Sequence, residues 1–166
     1  MHLRVTLVCS SVLLLCTAAA SAQLFVATGR DTLRGLPGVE VVVEDVPPEL
    51  PQAEMTTIAL RSAVEQRLRT AGIPVYGTQA ANPSVAKAYV YVHLNAVSVP
   101  RGLHAVSIQV HLRQTVRSVV TESNVVNAMT WENQTVAVAT DTDGAALRDL
   151  ILEMVDHFVA DWRAVH

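Results

Sequence analysis

The stretch that decides the fold reads Ala88-Tyr-Val-Tyr-Val-His-Leu-Asn-Ala-Val-Ser-Val99, then Pro100-Arg-Gly-Leu103, then His104-Ala-Val-Ser-Ile-Gln-Val-His-Leu-Arg-Gln-Thr115. Apolar and polar side chains alternate along both arms, which is typical of β-strands with one buried face. The apolar positions of the two arms are Val90, Val92, Leu94, Ala96, Val106, Ile108, Val110 and Leu112. We therefore predict an antiparallel hairpin whose apolar face contributes to a core.

The opposite face of this hairpin is the candidate binding surface. Its members are polar, aromatic or cationic: Tyr89, Tyr91, His93, Asn95, Gln109, His111 and Arg113. Pairing Val99 with Ala105 keeps both apolar sets on one side, whereas a slip by one residue would scatter them. The cross-strand pairs that this register predicts are His93 with His111, Tyr91 with Arg113, and Asn95 with Gln109.

The aromatic and cationic residues of this face suit a binding role. Tyrosine and arginine are enriched at binding hot spots, so Tyr89 and Tyr91 with Arg113 and Arg117 would suit a glycan, a peptide or another protein. The same cross-strand pairs also stabilise any sheet that has one solvated face. Both interpretations are open from the sequence.

The two histidines of the face, His93 and His111, are a weak candidate for a metal site. Opposed imidazoles can reach one ion, but no third ligand is predicted, because no acidic residue is expected on this face and His104 should point the other way. Two facing imidazoles also repel each other when both are protonated, so pH sensing is an alternative. An exposed polar role is the third interpretation.

The first 22 residues predict export. A short basic start precedes an apolar run, and small residues precede a cleavage site between Ala22 and Gln23, as in a secretory signal peptide. Both cysteines, Cys9 and Cys16, lie in this segment, and neither follows the small residue of a lipoprotein signal. We predict a periplasmic or secreted chain without thiols or disulfides after cleavage.

Charge and motifs restrict the function classes. The chain has 12 basic and 15 acidic residues, and this mild acidity argues against nucleic-acid binding. No later apolar run is long enough for a membrane span. Neither a nucleophile elbow, a phosphate-binding glycine loop nor a zinc-protease motif is present, and no partner base is predicted for Glu44, Asp45 or Glu49. We expect no enzyme and no cofactor.

The rest of the chain predicts further strands and helices around the hairpin. A β-branched run, Gly38–Val46, indicates a strand buried on both faces. Apolar residues at helical spacing, with Gly72 as the C-terminal cap, predict a helix from about Met55 or Thr57 to Ala71. The other predicted elements are a short parallel strand at Ile73–Tyr76, a strand at Val125–Trp131 that continues over Thr135–Thr140 after a bend at 132–134, and a long helix from Asp143 or Gly144 to Val165.

These elements predict an α/β (α+β) two-layer sandwich. It has a mixed, mostly antiparallel sheet of four to five strands, with both helices on the Val90/Ile108 side, in the order β-α-β-β-β-β-α. The predicted organisation is a signal peptide (1–22), an N-terminal arm (23–37) in which Leu24–Ala27 could add an edge strand, and one domain (38–166). Trp131 and Trp162 are expected to be core or sheet-edge aromatics rather than a ligand platform.

Two features of the C-terminal helix have alternative interpretations. Leu152 and Val159 widen its apolar face and either fill a groove against the first helix or form a partner face. The acidic residues of Asp141-Thr-Asp143-Gly144 resemble the start of a calcium loop, but the remaining ligands are missing, so we interpret them as helix capping.

The run Gly38–Asp45, the helix end Leu68-Arg-Thr-Ala-Gly-Ile73 and the close Asp156-His-Phe-Val-Ala-Asp-Trp-Arg-Ala-Val165 resemble small exported bacterial proteins of unknown function. The element order is similar to that of TolB amino-terminal and CsgG-like envelope accessory domains, although the lipidated cysteine is lacking. The resemblance implies a non-enzymatic binding or assembly module of the cell envelope, whose partner is another envelope protein or itself. The alternatives are a small metal- or ligand-dependent enzyme that uses His93 and His111, and a structural protein that self-assembles through the hairpin face or Leu152/Val159.

Overall fold

The computed structural model of this chain describes residues 29–51, 55–78 and 80–166. The predicted signal peptide and the predicted Leu24–Ala27 strand lie outside these residues. The elements follow the predicted order: β1 (Val39–Val43), α1 (Thr57–Thr70), β2 (Val75–Tyr76), β3 (Tyr89–Val99), β4 (Leu103–Arg117), β5 (Asn124–Thr140) and α2 (Gly144–Arg163), with a 3-10 helix (Arg30–Leu33) before β1.

The strands form one five-stranded sheet in the order β2-β1-β3-β4-β5. β1 runs parallel to β2 and β3, and the β3-β4 and β4-β5 pairs are antiparallel. Both helices pack on the apolar side of the sheet, where Val92, Ile108 and Phe158 are fully buried in one core. The predicted fold class, a mixed sheet with two helices on one face, is confirmed.

β1 is buried on one face only, and the prediction of burial on both faces is wrong. Val39 and Val41 are fully buried against α1, whereas Glu40 and Val42 are half-buried on the other side. The reason is the layering: the described residues put helices on one side of the sheet, so alternate β1 side chains point away from the core.

The β3–β4 hairpin has the predicted faces but not the predicted register. Val99 pairs with Leu103 rather than with Ala105, because the connection comprises only residues 100–102. Arg101 and Gly102 have φ angles of 73° and 67°, and consecutive left-handed residues of this kind permit a tight connection. A shift of two residues keeps every side chain on its predicted face but changes its cross-strand partner.

β5 is one continuous strand of 17 residues, so the predicted bend at 132–134 is wrong. The irregularity lies earlier, where the β4–β5 register shifts between Leu112 and Arg113 and again between Gln114 and Val116. Asn127 has a φ angle of 57° in this region. These bulges accommodate the extra residues of β5, and the strand then runs straight past the predicted bend.

The ends of α1 follow from its flanking residues. The Thr56 side chain accepts a hydrogen bond from the amide of Ala59 at 3.1 Å, which is an N-terminal cap. Gly72, with a φ angle of 87°, lets the chain turn back so that the amide of Ile73 reaches the carbonyl oxygen of Leu68 at 3.0 Å.

α2 packs beside α1, and Leu152 and Val159 are the two residues that widen its apolar face. Val159 is 5% exposed, and Leu152 is half-buried in a groove of about 390 Å³ that is also lined by Ala59 and Ala63 of α1. Asp143 precedes the helix, but its carboxylate accepts hydrogen bonds from Thr140 rather than from helix amides. Of the two side chains at the helix margin, Leu152 therefore lines the α1–α2 groove, and Val159 is buried.

The described part of the N-terminal arm is fastened to the helix side of the sheet. Leu33 is fully buried, and Arg30 donates a hydrogen bond of 2.7 Å to Asp161 of α2. Asp161 also accepts a hydrogen bond of 2.9 Å from the indole of Trp131. From Gly29 onward, this segment therefore leaves the opposite side of the sheet uncovered.

Candidate binding surface

The face of the sheet that points away from the helices, called the outer face here, carries the predicted binding residues. Glu40 of β1, Glu44 directly after β1 and Glu132 of β5 lie on the same face, since Glu40 pairs with Tyr89, Glu44 contacts His93 and Glu132 pairs with His111. One central row, from β1 to β5, consists of Val42, Tyr91, His111 and Glu132. The next row consists of His93, Gln109 and Gln134 of β3, β4 and β5, and Glu44 contacts His93 at its end.

The cross-strand pairs differ from the predicted ones because of the register change. The observed pairs are Tyr89 with Arg113, Tyr91 with His111, His93 with Gln109, and Asn95 with Ser107. All seven predicted residues therefore share one face, but the two histidines are diagonal neighbours rather than partners. The prediction that His93 opposes His111 is wrong.

An acidic residue organises His93, contrary to the expectation that the face has none. Glu44 Oε2 contacts His93 Nδ1, and Asn95 Nδ2 lies 2.6 Å from His93 Nε2. Because an ionised carboxylate only accepts hydrogen bonds, a neutral imidazole in this chain donates from Nδ1 and accepts from the Asn95 amide. The prediction that Glu44 lacks a partner base is also wrong, and the imidazole is held in a fixed orientation.

Tyr91 lies at the centre of the outer face. Its ring is nearly parallel to the rings of His93 and His111, with centroid separations of 6.2 Å and 6.3 Å. The guanidinium of Arg113 lies 4.8 Å from the Tyr91 centroid, and Tyr89 meets the same ring edge-on at 6.3 Å. Such aromatic and cation–π contacts fix the side chains in a platform before any ligand binds.

Three buried polar atoms of the described residues lack a hydrogen-bond partner, and all three belong to the outer face. They are Glu40 Oε2, His111 Nδ1 and Arg113 Nε. His111 is only 6% exposed. Buried polar groups normally have partners, so a cluster of unpaired ones on one surface is a sign of a site that binds something.

Burial shifts the pKa values of two of these residues. It raises the pKa of Glu40, an effect that the Arg61 guanidinium partly opposes. It lowers the pKa of His111, and the neighbouring charge of Arg113 lowers it further. Both shifts favour the neutral forms of these two side chains.

The positions of His93 and His111 bear on the weak metal site that the sequence suggests for this pair. The ring of Tyr91 stacks against both His93 and His111, which are not opposed across the strands. Among residues 29–51, 55–78 and 80–166, no group of three or more histidine, cysteine, aspartate or glutamate side chains could hold a metal ion. His104 points to the core side, as expected, where it lies 2.8 Å from Asp141.

Some outer-face residues were missed by the sequence analysis, and one predicted residue lies apart. Arg117 is near the far end of β4 and forms an exposed ion pair of 3.6 Å with Glu122. The missed residues are Glu40, Glu44 and Glu132. The alternation of Glu40 and Glu44 with Val39, Val41 and Val43 was a signal for an outward-facing acidic row, although the neighbour of β1 was not evident.

No helix in the described part of the chain is long and apolar enough to cross a membrane. Neither a protein-family model nor a curated protein matches the chain. Among solved structures, a minor lipoprotein from Acinetobacter baumannii is similar over 78% of this chain and 92% of its own, with 7% sequence identity and a TM-score of 0.31. This TM-score supports no inference about fold or function.

Proposed function

We propose that this protein is an exported, non-enzymatic binding or assembly module of the bacterial cell envelope, and that its outer face binds another envelope protein. The sequence pattern of residues 1–22 supports the compartment, since it is that of a cleaved secretory signal. The mild excess of acidic over basic residues, 15 against 12, supports a protein partner rather than nucleic acid.

The observation that carries the proposal is the group of unpaired polar atoms beside Tyr89 and Tyr91. Glu40, His111 and Arg113 each keep a buried polar atom without a partner. Leaving such groups unsatisfied costs about 1–3 kcal/mol each, and a partner that supplies the missing hydrogen bonds would offset this cost on binding.

The chemistry of the outer face also fits a protein partner. Tyr91 and Arg113 are of the types that dominate binding energy at interfaces, and their mutual contact holds both in place. The surrounding polar residues, Asn95 and Gln109, are suited to the wetter rim of such an interface.

The proposal is tested by binding of envelope extract to the immobilised mature protein, with Tyr91→Ala and Arg113→Ala as variants. We expect one partner that is retained by the wild type and whose Kd rises by about 30-fold in each variant, the amount typical of a hot spot. Arg148→Ala is the matched control, because Arg148 lies on α2 beside the α1 groove, on the other side of the sheet. Equal retention by all variants would contradict a role for the outer face.

A further inference from the structure

β5 forms one edge of the sheet, and a central part of that edge is open. At one end, the carbonyl oxygen of Thr130 accepts a hydrogen bond of 3.2 Å from the hydroxyl of Thr32. At the other end, the Thr140 amide donates to the Asp143 carboxylate at 2.7 Å. Between these two ends, the described residues place no chain segment along the edge.

The backbone groups that face this open edge can be assigned from Thr140. Its amide bonds to Asp143 and therefore points away from β4. In an antiparallel ladder, the N–H and C=O of every second residue point toward the same neighbour, so those of Gln134, Val136 and Val138 also face outward. These groups have no hydrogen-bond partner within the described part of the chain.

The side chains of this segment lack the features that normally keep sheet edges apart. Residues 133–140, Asn-Gln-Thr-Val-Ala-Val-Ala-Thr, contain no charged residue, proline or glycine. Val136 and Val138 are 74% and 69% exposed on the outer face, and Val97 in the row of Val138 is 64% exposed. An unprotected apolar edge of this kind is suited to pairing with another strand.

The strand is self-complementary in one register. If two β5 strands pair antiparallel about a twofold axis at Ala137, each Val136 lies opposite Val138 of the other copy. Val136 and Val138 both have edge-facing backbone groups, so each such pair exchanges hydrogen bonds in both directions. A shift of the axis to either valine would place Val136 or Val138 opposite a polar residue instead. The register about Ala137 also opposes no like charges, since Glu132 then faces Thr142.

We propose that the open edge of β5 binds a second copy of this chain and joins the two sheets into one continuous sheet. The occupant is a second copy because the edge matches itself in register, in side-chain type and in hydrogen-bonding groups. This interface is separate from the centre of the outer face, so the proposal does not depend on the proposed function.

The oligomeric state of the mature chain and of two lysine variants tests the interface. We expect a dimer by sedimentation, and we expect Val136→Lys to raise its Kd by at least about 30-fold, because a charge is then placed in the paired edge. Val126→Lys is the matched control, since Val126 lies in the same strand at 68% exposure but far from the proposed axis. A monomeric wild type, or equal effects of both substitutions, would overturn the proposal.

A cysteine cross-link tests the register independently. The only cysteines, Cys9 and Cys16, precede the predicted cleavage site, so the mature chain has none. Ala137 would face its own copy in a non-hydrogen-bonded pair at a Cα separation of about 4.5 Å, which is within the range of about 4.4–6.8 Å that a disulfide spans. Ala137→Cys should therefore give a disulfide-linked dimer under mild oxidation, and Val126→Cys should not.

Hydrogen exchange distinguishes a second copy at the edge from the other possible occupant, which is a segment of the same chain. A monomer in which the amides of Val136 and Val138 exchange slowly would overturn the proposal, because another part of the chain would then cover them. Slow exchange in the dimer that becomes fast in Val136→Lys would support it.

Discussion

Asp161 links three parts of the fold, and its removal gives a measurable prediction. Its carboxylate accepts a hydrogen bond from the buried indole of Trp131 at 2.9 Å and another from Arg30 at 2.7 Å. In Asp161→Ala the indole N–H loses its acceptor, at a cost of about 1–3 kcal/mol. The ion pair adds about 0–1 kcal/mol, since the Arg30 side chain is 53% exposed. We expect the free energy of unfolding to fall by about 1–4 kcal/mol in total.

Urea and thermal unfolding of the mature protein measure this loss. For a domain of this size, a loss of about 1–4 kcal/mol corresponds to a fall in Tm of about 3–20 °C. Asp161→Asn should lose less, because its amide oxygen can still accept from Trp131. Asp156→Ala is the matched control on the same helix, since its ion pair with Arg67 is half-exposed at 3.5 Å. If Asp161→Ala and Asp156→Ala destabilise the protein equally, the buried hydrogen bond does not contribute as inferred.

Three further predictions concern pH dependence, the core and the N-terminal segment. Burial and the neighbouring Arg113 guanidinium lower the pKa of His111. The stability that is linked to the neutral His111 is therefore fully present above about pH 6.5 and is lost as the pH falls through the lowered pKa. On acidification, His111→Gln should therefore lose less stability than the wild type, and the control His157→Gln should behave like the wild type. Urea unfolding at several pH values measures this, and equal pH profiles of all three proteins would contradict it. Phe158→Ala removes a fully buried ring and should cost about 3–5 kcal/mol in chemical unfolding, so a loss below about 1 kcal/mol would show that the core is not packed as described. Gly29→Ala should destabilise the fold by about 1–3 kcal/mol, because its Cβ would lie 2.0 Å from a carbonyl oxygen of β5. The control Gly77→Ala, whose Cβ would meet open space, should change the melting temperature little. Equal melting temperatures of the two variants would refute the close packing at Gly29.

The alternation of apolar and polar residues in the central hairpin predicted the faces of β3 and β4 correctly. Burial of one face sets this alternation within each strand, so the pattern is present in the local sequence. The register needed more than this pattern. Registers that pair Val99 with Ala105 or with Leu103 bury the same side chains, and the difference lies in the φ angles of Arg101 and Gly102. Alternation of side chains therefore specifies the face, whereas the geometry of the connection specifies the partner.

The acidic residues of the outer face could not be placed from sequence because they reach it through non-local pairing. Glu44 meets His93 only because β1 lies parallel to β3, with α1, β2 and a loop between them in the chain. Glu132 was assigned to a bend, but the bulges earlier in β5 keep it in the strand opposite His111. Long-range strand order and bulge position leave weak signals in a single sequence, and both decide the composition of this surface.

The two proposed contacts use different parts of one sheet, namely the outer face and the edge of β5. The polar centre around Tyr91 would bind a different protein, whereas the valine row of β5 would bind a second copy. Joining two sheets at β5 would place two outer faces on the same side of a continuous sheet. Such an arrangement would let a dimer bind two partner sites with higher avidity than a monomer.

Site-specific photo-crosslinking of the mature chain in bacterial envelope extract tests the central claim most directly. A crosslinking amino acid in place of Asn95 probes the exposed outer face, and the same group in place of Gln66 probes the exposed side of α1. We expect a discrete crosslinked protein from position 95 that decreases strongly when Arg113→Ala is added, and none of that mass from position 66. Equal crosslinks from both positions, or a position-95 crosslink that does not depend on Arg113, would contradict the outer face as a specific binding surface.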